Sequence, residues 1–285
     1  MRISGRRFLV KRLVITADDF GLSPQLDVGI RTACVKGVVT HVSLVANGES
    51  LEDAVRFLTG HSEITAGVHL NLTDGRPLTD RSGLMPLLDA GGNFKGNHWR
   101  AGATILARSF FRPAIEVEYR TQIEKILALG IRPAQLNSHG HLHAIPALFD
   151  MVLRLASEYG IGNVRRVEER LTGRQFFRSP RRWFKSIFLS AAFAGKQNLL
   201  GCKTVPCVGV YDSGCLTAER LDEILNNLPE GDSELICHPG GGEGTAFPAQ
   251  YQGWGYRWEE ELALLLSEGV KESLKNSKIQ LVNFR

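Results

Sequence analysis

Short apolar segments alternate with segments of helical pattern along almost the whole chain, and this alternation constrains the fold more than any other feature. In the first unit, Leu13-Val14-Ile15 predicts a strand, Ser23-Pro24 is typical of a helix N-terminus, and Gly37 ends the helix. Further strands are predicted over residues 38–46, 64–70, 135–137, near 164, and over 204–210, 234–237 and 279–282. Polar residues recur where these strands end. We therefore expect a parallel sheet closed into a TIM-like (β/α) barrel, distorted or incomplete, with residues 1–285 forming one domain.

Two insertions interrupt the alternation. Residues 73–112 contain many turn-forming residues and predict a long irregular loop, which we expect to shape a binding pocket. Residues 168–200 mix cations with large apolar side chains, as in Arg181-Arg182-Trp183-Phe184-Lys185. That mixture suits peripheral contact with an anionic membrane surface, but it is equally typical of a solvated helix whose apolar face packs on the barrel. Nucleic-acid binding is not expected, because no recognition motif accompanies the charge.

The composition is that of an ordinary globular protein, with 43% apolar and 22% charged residues and a formal net charge of +4. The N-terminal apolar run Phe8-Leu9-Val10 is too short for the core of a signal peptide, so we expect a cytoplasmic protein. The five cysteines include no C-x-x-C pair. We therefore expect reduced and mostly buried thiols, and neither a disulfide framework nor a thiolate zinc site.

Two adjacent carboxylates, Asp18 and Asp19, follow the first predicted strand. Such a pair is often a solvated loop or a helix cap, but in (β/α) barrels the ends of strands carry the catalytic groups. Two like charges side by side need a positive partner, and a metal ion is one such partner. One carboxylate could then bind the metal while its neighbour acts as general base on a metal-bound water. The pair therefore predicts a metal-dependent hydrolase.

Histidines follow other predicted strands and could complete a metal site. His69 lies at the end of the third strand, and His139, His141 and His143 alternate, so an extended chain would direct all three the same way. His238 precedes a glycine-rich loop and could protonate a leaving amine. Each histidine alone could equally be a packed or loop residue. Imidazole ligands favour zinc or another transition ion over magnesium, and a mixed shell with carboxylate leaves nickel, cobalt and manganese open.

Five motifs in order resemble the YdjC family of carbohydrate deacetylases over nearly the whole chain. They begin at Thr16-Ala17-Asp18-Asp19-Phe20-Gly21, Gly37-Val38-Val39-Thr40, Gly67-Val68-His69-Leu70-Asn71, Ser138-His139-Gly140-His141-Leu142-His143 and Cys237-His238-Pro239-Gly240. The resemblance implies a (β/α) barrel and one divalent metal ion, held by residues that correspond to Asp19, His69 and His139. It also implies that Asp18 is the base and His238 the acid.

Other residues are expected near this site. Arg165 would tune the base or hold substrate, and His141 and His143 would contact substrate. Asn137 stands where many members of the family have aspartate, which removes a negative partner from the neighbourhood of the ligands and could lower their basicity.

The segment Gly255-Tyr256-Arg257-Trp258-Glu259 is similar to the hopanoid-biosynthesis branch of the family, the HpnK-type deacetylases. This implies that the substrate is an N-acetylglucosaminyl hopanoid lipid, from which acetate would be released. The alternatives are a deacetylase of chitooligosaccharide or another N-acetylated sugar, a different hydrolase such as one acting on phosphate esters, and a non-catalytic metal-containing protein that binds glycolipid.

Overall fold

In a computed structural model, which describes residues 10–195, 201–242 and 244–284, the chain forms a parallel barrel surrounded by helices. The strands are β1 (Lys11–Phe20), β2 (His41–Leu44), β3 (Thr65–Leu70), β4 (Gln135–Ser138), β5 (Asn163–Val167), β6 (Lys203–Val208), β7 (Gly231–Cys237) and β8 (Ile279–Leu281). The strands from β1 to β7 pair in sequence order, and β7 returns to β1, so seven strands close the barrel. The expectation of a (β/α) barrel is confirmed.

The barrel is distorted at one seam. The first residues of β1, Lys11 to Leu13, pair with β8, whereas the later residues from Thr16 onward pair with β2. The short strand β8 therefore lies against the same edge of β1 as β2 and fills the N-terminal part of the seam. The C-terminal end of the barrel is formed by the strands β1 to β7 and the loops that follow them.

Most helices follow the predicted pattern. They are α1 (Pro24–Lys36), α2 (Leu51–Thr59), α3 (His98–Ala107), α4 (Arg112–Ala128), α5 (Pro146–Glu158), α6 (Gly173–Arg178), α7 (Pro180–Ala192), α8 (Ala218–Asn227), α9 (Ala249–Gln252), α10 (Trp258–Leu266) and α11 (Glu268–Asn276). Ser23 caps α1 as expected, because its side chain accepts a hydrogen bond from the Leu26 N–H. The buried apolar faces of the helices pack on strand residues such as Ile15, Val68 and Leu235 to form the core.

Both insertions contain more regular structure than an irregular loop. The first one includes a 3₁₀ segment, Arg81–Leu87, and the ten-residue helix α3, so the prediction of an irregular loop is wrong there. The second forms α6 and α7; residues 196–200 of that predicted insertion lie outside the described part of the chain. Within the described residues, no helix is long and apolar enough to cross a membrane. Four of the five cysteines are buried, as predicted.

Candidate active site

Asp18 and Asp19 are neighbours in sequence, yet both side chains are buried in the C-terminal end of the barrel and reach other site residues. A regular strand would direct them to opposite faces. Between residues 17 and 20, however, β1 advances three residues while β2 advances two, which is a β-bulge. Asp19 has a φ of 68°, a left-handed conformation that aspartate tolerates better than most residues. The bulge therefore brings two adjacent carboxylates into one site.

Asp19 lies in a cluster with two histidines from separate strand ends. His139 follows β4, and its Nδ1 lies 2.7 Å from Asp19 Oδ1; His69 closes β3, and its Nε2 lies 3.3 Å from the same oxygen. The potential ligand atoms of these three residues lie within 4.8 Å of one another. The structure thus brings together the three residues predicted to hold a metal.

The electrostatics of this cluster favour a bound cation. Burial alone would lower the pKa of His139, but Asp19, assisted by Asp74, raises that pKa to about 9. Burial likewise opposes the ionised form of Asp19, yet His139 and His69 hold the pKa of this carboxyl well below its usual range. A carboxylate and two imidazoles fit a divalent transition ion, which could be zinc, nickel, cobalt or manganese, better than magnesium. The donor set therefore fits the metal that the sequence implies.

Asp18 belongs to a different pair. Its two carboxylate oxygens accept hydrogen bonds of 2.7 and 2.8 Å from the guanidinium of Arg165, which projects from β5. Burial would raise the pKa of Asp18, but Arg165 and then His69 hold it well below the usual range. Arg165 also donates to Glu234 of β7 at 2.7 and 3.1 Å. The guanidinium therefore bridges two buried carboxylates.

The structure places Arg165 behind Asp18. The arginine is fully buried. The described residues that line the cavity in front of the site do not include it. The expected contact with substrate is therefore absent from this geometry. The alternative role, tuning the base, is the one that the hydrogen bonds favour.

The three clustered histidines do not alternate along an extended chain, so that part of the prediction is wrong. Residues 139–144 form a 3₁₀ turn in which Gly140 and His141 have φ values of 62° and 59°, and the side chains diverge. His141 lines the cavity, and burial together with Lys185 lowers its pKa well below the usual range. His143 is fully buried, with its ring between the Ser138 hydroxyl at 2.6 Å and the Arg165 carbonyl at 3.1 Å. His143 thus supports the turn and, in the described structure, does not face the cavity.

His238 follows β7 and lines the cavity, opposite the end of β3. Its backbone N–H donates to Glu261 at 3.0 Å, and its ring meets Tyr256 edge to face with centroids 4.9 Å apart. Burial lowers the pKa of His238 to about 4. The ring is therefore neutral near pH 7, with one nitrogen as an N–H donor and the other as an acceptor.

The cavity above these groups has a volume of about 500 Å³, which is ample for a sugar residue. Its walls combine the site residues with aromatic side chains and with cations from α7. The aromatic residues are Trp99, Tyr211, Trp254 and Tyr256, and the cations are Arg181, Arg182 and Lys185. Flat aromatic walls beside a polar floor are suited to a ring with one apolar face and several hydroxyl groups.

Several cavity residues were not predicted. Asp74 lies 3.5 Å from His139 Nε2. Its position in the polar segment that follows β3 could have identified it as a site residue. Trp254 packs beside His139 with ring centroids 5.1 Å apart, and His98 enters from α3. His98 had no usable signal, because the helix that carries it lies in the segment expected to be irregular.

Comparisons with known proteins agree with this architecture. A family model described as YdjC-like protein matches residues 12–276. A carbohydrate deacetylase of Clostridium beijerinckii is 30% identical over 278 residues, covering 96% of this chain and 99% of that protein. A chitooligosaccharide deacetylase of Escherichia fergusonii is 35% identical over 234 residues, covering 80% and 81%.

A solved structure is also similar in fold. It is an Enterococcus faecalis V583 protein assigned to cellobiose-phosphate cleavage, with a TM-score of 0.72 at 24% sequence identity, and the similarity covers 96% of this chain and 98% of that one. The family match extends over nearly the whole length, including every strand end that contributes to the site. The chain therefore belongs to the YdjC-like protein family.

Proposed function

We propose that this protein is a metal-dependent carbohydrate N-deacetylase that hydrolyses the acetamido group of an amino sugar. The observation that carries the proposal is the division of two adjacent carboxylates, because Asp19 joins His69 and His139 while Asp18 stands beside them, paired with Arg165. The names of the relatives from Clostridium beijerinckii and Escherichia fergusonii support the same activity.

Each side chain has a role in this proposal. A divalent ion held by Asp19, His69 and His139 would supply Lewis acidity toward the amide carbonyl and lower the pKa of water. Asp18 accepts the proton of the attacking water. The pair with Arg165 keeps this carboxylate unprotonated and fixes its direction, since both oxygens are held by one rigid guanidinium.

His238 is assigned to the departing amine. Its low pKa means that the resting ring is neutral, so the proton that it delivers has to come from the attacking water by way of Asp18. The aromatic side chains Trp254 and Tyr256 lie in the cavity wall and would hold the faces of the sugar ring.

The finer proposal concerns the substrate, which we take to be an N-acetylglucosaminyl hopanoid presented at the cytoplasmic face of a membrane. Its support is the surface of α6 and α7, where Phe177, Phe184 and Phe188 are 84%, 59% and 63% exposed. The sequence from residue 170 to residue 195 contains no acidic residue, whereas Arg181 and Lys185 of α7 line the cavity. Exposed phenylalanines among cations suit an anionic bilayer at the mouth of the site.

A substrate panel tests the activity. With the metal-loaded protein, acetate release should be measured on N-acetylglucosaminyl hopanoid and on chitooligosaccharides, and phosphate release on a phosphate ester. We expect release from the hopanoid substrate to be fastest. Faster release from chitooligosaccharide would retain the deacetylase and replace the substrate; no acetate from any acetylated sugar would refute the deacetylase and favour a binding protein.

A second experiment tests the membrane contact. Sedimentation with vesicles containing anionic phospholipid should bind the wild type, and Phe184→Ser with Phe188→Ser should weaken this binding, while acetate release from a water-soluble substrate stays unchanged. Val28→Ser with Val35→Ser is a matched control, because both valines are about half exposed on α1. Equal vesicle binding by all three proteins would contradict a docking role for α7.

A further inference from the structure

His69 can offer its Nε2 to a metal only if the ring proton is on Nδ1, and the partner of Nδ1 decides this. Nδ1 lies 2.5 Å from Oδ1 of Asn137, which is fully buried in β4. An amide oxygen at this position accepts the Nδ1 proton and leaves Nε2 with its lone pair. An amide nitrogen at the same position would demand the opposite arrangement. The orientation of the Asn137 amide is therefore decisive.

Asn137 does not set its own orientation. Its Nδ2 donates to Ser43 Oγ at 2.8 Å and to Gln135 Oε1 at 2.7 Å. A serine hydroxyl can donate or accept, so Ser43 tolerates either end of the amide. Gln135 does not, because its oxygen can only accept. The glutamine therefore requires a donor from Asn137.

Gln135 is oriented in turn by Glu234. Its Nε2 donates to Glu234 Oε2 at 2.8 Å, and the same carboxylate also accepts from Thr16 and twice from Arg165. If the Gln135 amide were reversed, its oxygen would face a carboxylate oxygen in a fully buried position. That arrangement would leave two acceptors together without a proton, which is costly away from water.

We propose that Gln135 is a positioning residue of the metal site. It relays the hydrogen-bond direction of Glu234 through Asn137 to His69, and so leaves the Nε2 lone pair free for the metal position that His69 shares with Asp19 and His139. The neutral Asn137 can take the place of a carboxylate partner of His69 because Gln135 fixes the orientation of its amide group. Arg165 donates to Glu234, the first residue of this series of hydrogen bonds, and also to Asp18. One guanidinium therefore orients both the base and a ligand.

The inference rests on the metal site of the proposed function, but its test does not require turnover. Zinc affinity should be measured by competition with a chromophoric chelator for the wild type, Gln135→Met and Ser43→Ala. Both variants remove one acceptor of the same Asn137 nitrogen. We expect Gln135→Met to bind zinc about 10-fold more weakly, as for other partners behind a ligand, and Ser43→Ala to stay within about twofold.

Nitrogen-15 NMR of the histidine rings provides the second readout, with His69 identified by its absence in His69→Ala. In the wild type, the spectrum should show the proton of the neutral ring on Nδ1, and Gln135→Met should give a mixture of tautomers. A wild-type proton on Nε2, or equal zinc affinity in the two variants, would overturn the relay. If Gln135→Met does not fold, the wild-type spectrum still decides. A failure to release acetate would refute the deacetylase without changing either readout.

Discussion

The different roles proposed for Asp18 and Asp19 can be separated by two isosteric substitutions, Asp18→Asn and Asp19→Asn. Both residues are buried and adjacent, and asparagine preserves the shape of the side chain in each case. Asparagine also tolerates the left-handed backbone of Asp19, so the second variant adds little strain. Each variant therefore removes one negative charge, and the two variants differ only in which of the neighbouring positions loses it.

The magnitudes follow from the contacts. Asp18→Asn removes one of the two carboxylates that Arg165 bridges, but Glu234 still accepts from the guanidinium. Breaking a buried ion pair costs about 3–5 kcal/mol of stability. Because Glu234 remains paired with Arg165, we expect Asp18→Asn to lose about 3 kcal/mol, the lower end of that range. A domain with about 5–15 kcal/mol of stability survives that loss. Loss of a general base lowers turnover by about 10²–10⁴-fold, while the three residues around the metal stay intact.

The assays are metal content after gel filtration, acetate release and thermal unfolding. Asp18→Asn should keep a stoichiometric metal ion and lose turnover, whereas Asp19→Asn should lose the metal itself. Excess metal should restore part of the activity of Asp19→Asn and none of that of Asp18→Asn. Full activity in Asp18→Asn, or loss of metal from it, would refute the assigned division of labour.

Three further predictions concern the surroundings of the site. Gly29→Ala in α1 would place a Cβ 2.4 Å from the backbone of Gly240, so the loop after β7 should shift; turnover should fall at least about 10-fold with metal content unchanged. Arg165→Lys keeps the charge but loses the two-pronged contact, so the pKa of Asp18 should rise and the acidic limb of the kcat/KM profile should move to higher pH. Burial lowers the pKa of His41 to about 3, so the unfolded chain takes up a proton there first as the pH falls. This one group should reduce the free energy of unfolding by about 1.4 kcal/mol per pH unit between about pH 6.5 and pH 3, and urea unfolding of His41→Leu should show a slope smaller by that amount.

The parts of the fold that depend on local pattern could be predicted from the sequence. Apolar strands, capped helices and polar residues at strand ends are local signals, and they predicted the barrel and a metal site at its strand ends. The choice of Asp19, His69 and His139 as the ligands came from the resemblance to the YdjC family. Convergence of parallel strand ends brings such residues together whatever their separation along the chain. Exact ring orientation was not needed for this part of the prediction.

The parts that failed depend on long-range contacts or on an unusual backbone conformation. The bulge in β1 arises from its register with β2, and the turn at residues 139–144 depends on left-handed backbone at Gly140 and His141. The role of Arg165 depends on Glu234, which lies 69 residues away and has no distinctive local motif. A period-two pattern in the histidines was therefore misleading, because the chain there is not extended.

The balance of charge at the centre of the barrel leads to the last prediction. Asp18, Asp19 and Glu234 are buried carboxylates and Arg165 supplies one positive charge, so these four groups carry an excess of two negative charges once a metal ion displaces the proton that Asp19 holds on His139. A divalent ion matches that excess. With metal at about 100 times its Kd, binding contributes about 2.7 kcal/mol to stability, which corresponds to about 5–10 °C in Tm for a domain of this size. Removal of metal with a chelator should lower Tm by that amount, and zinc should restore it. Asp19→Asn should have the same low Tm with chelator and with zinc. If the chelator leaves the Tm of the wild type unchanged, the charge of the buried carboxylates is neutralised by another group and not by a metal ion.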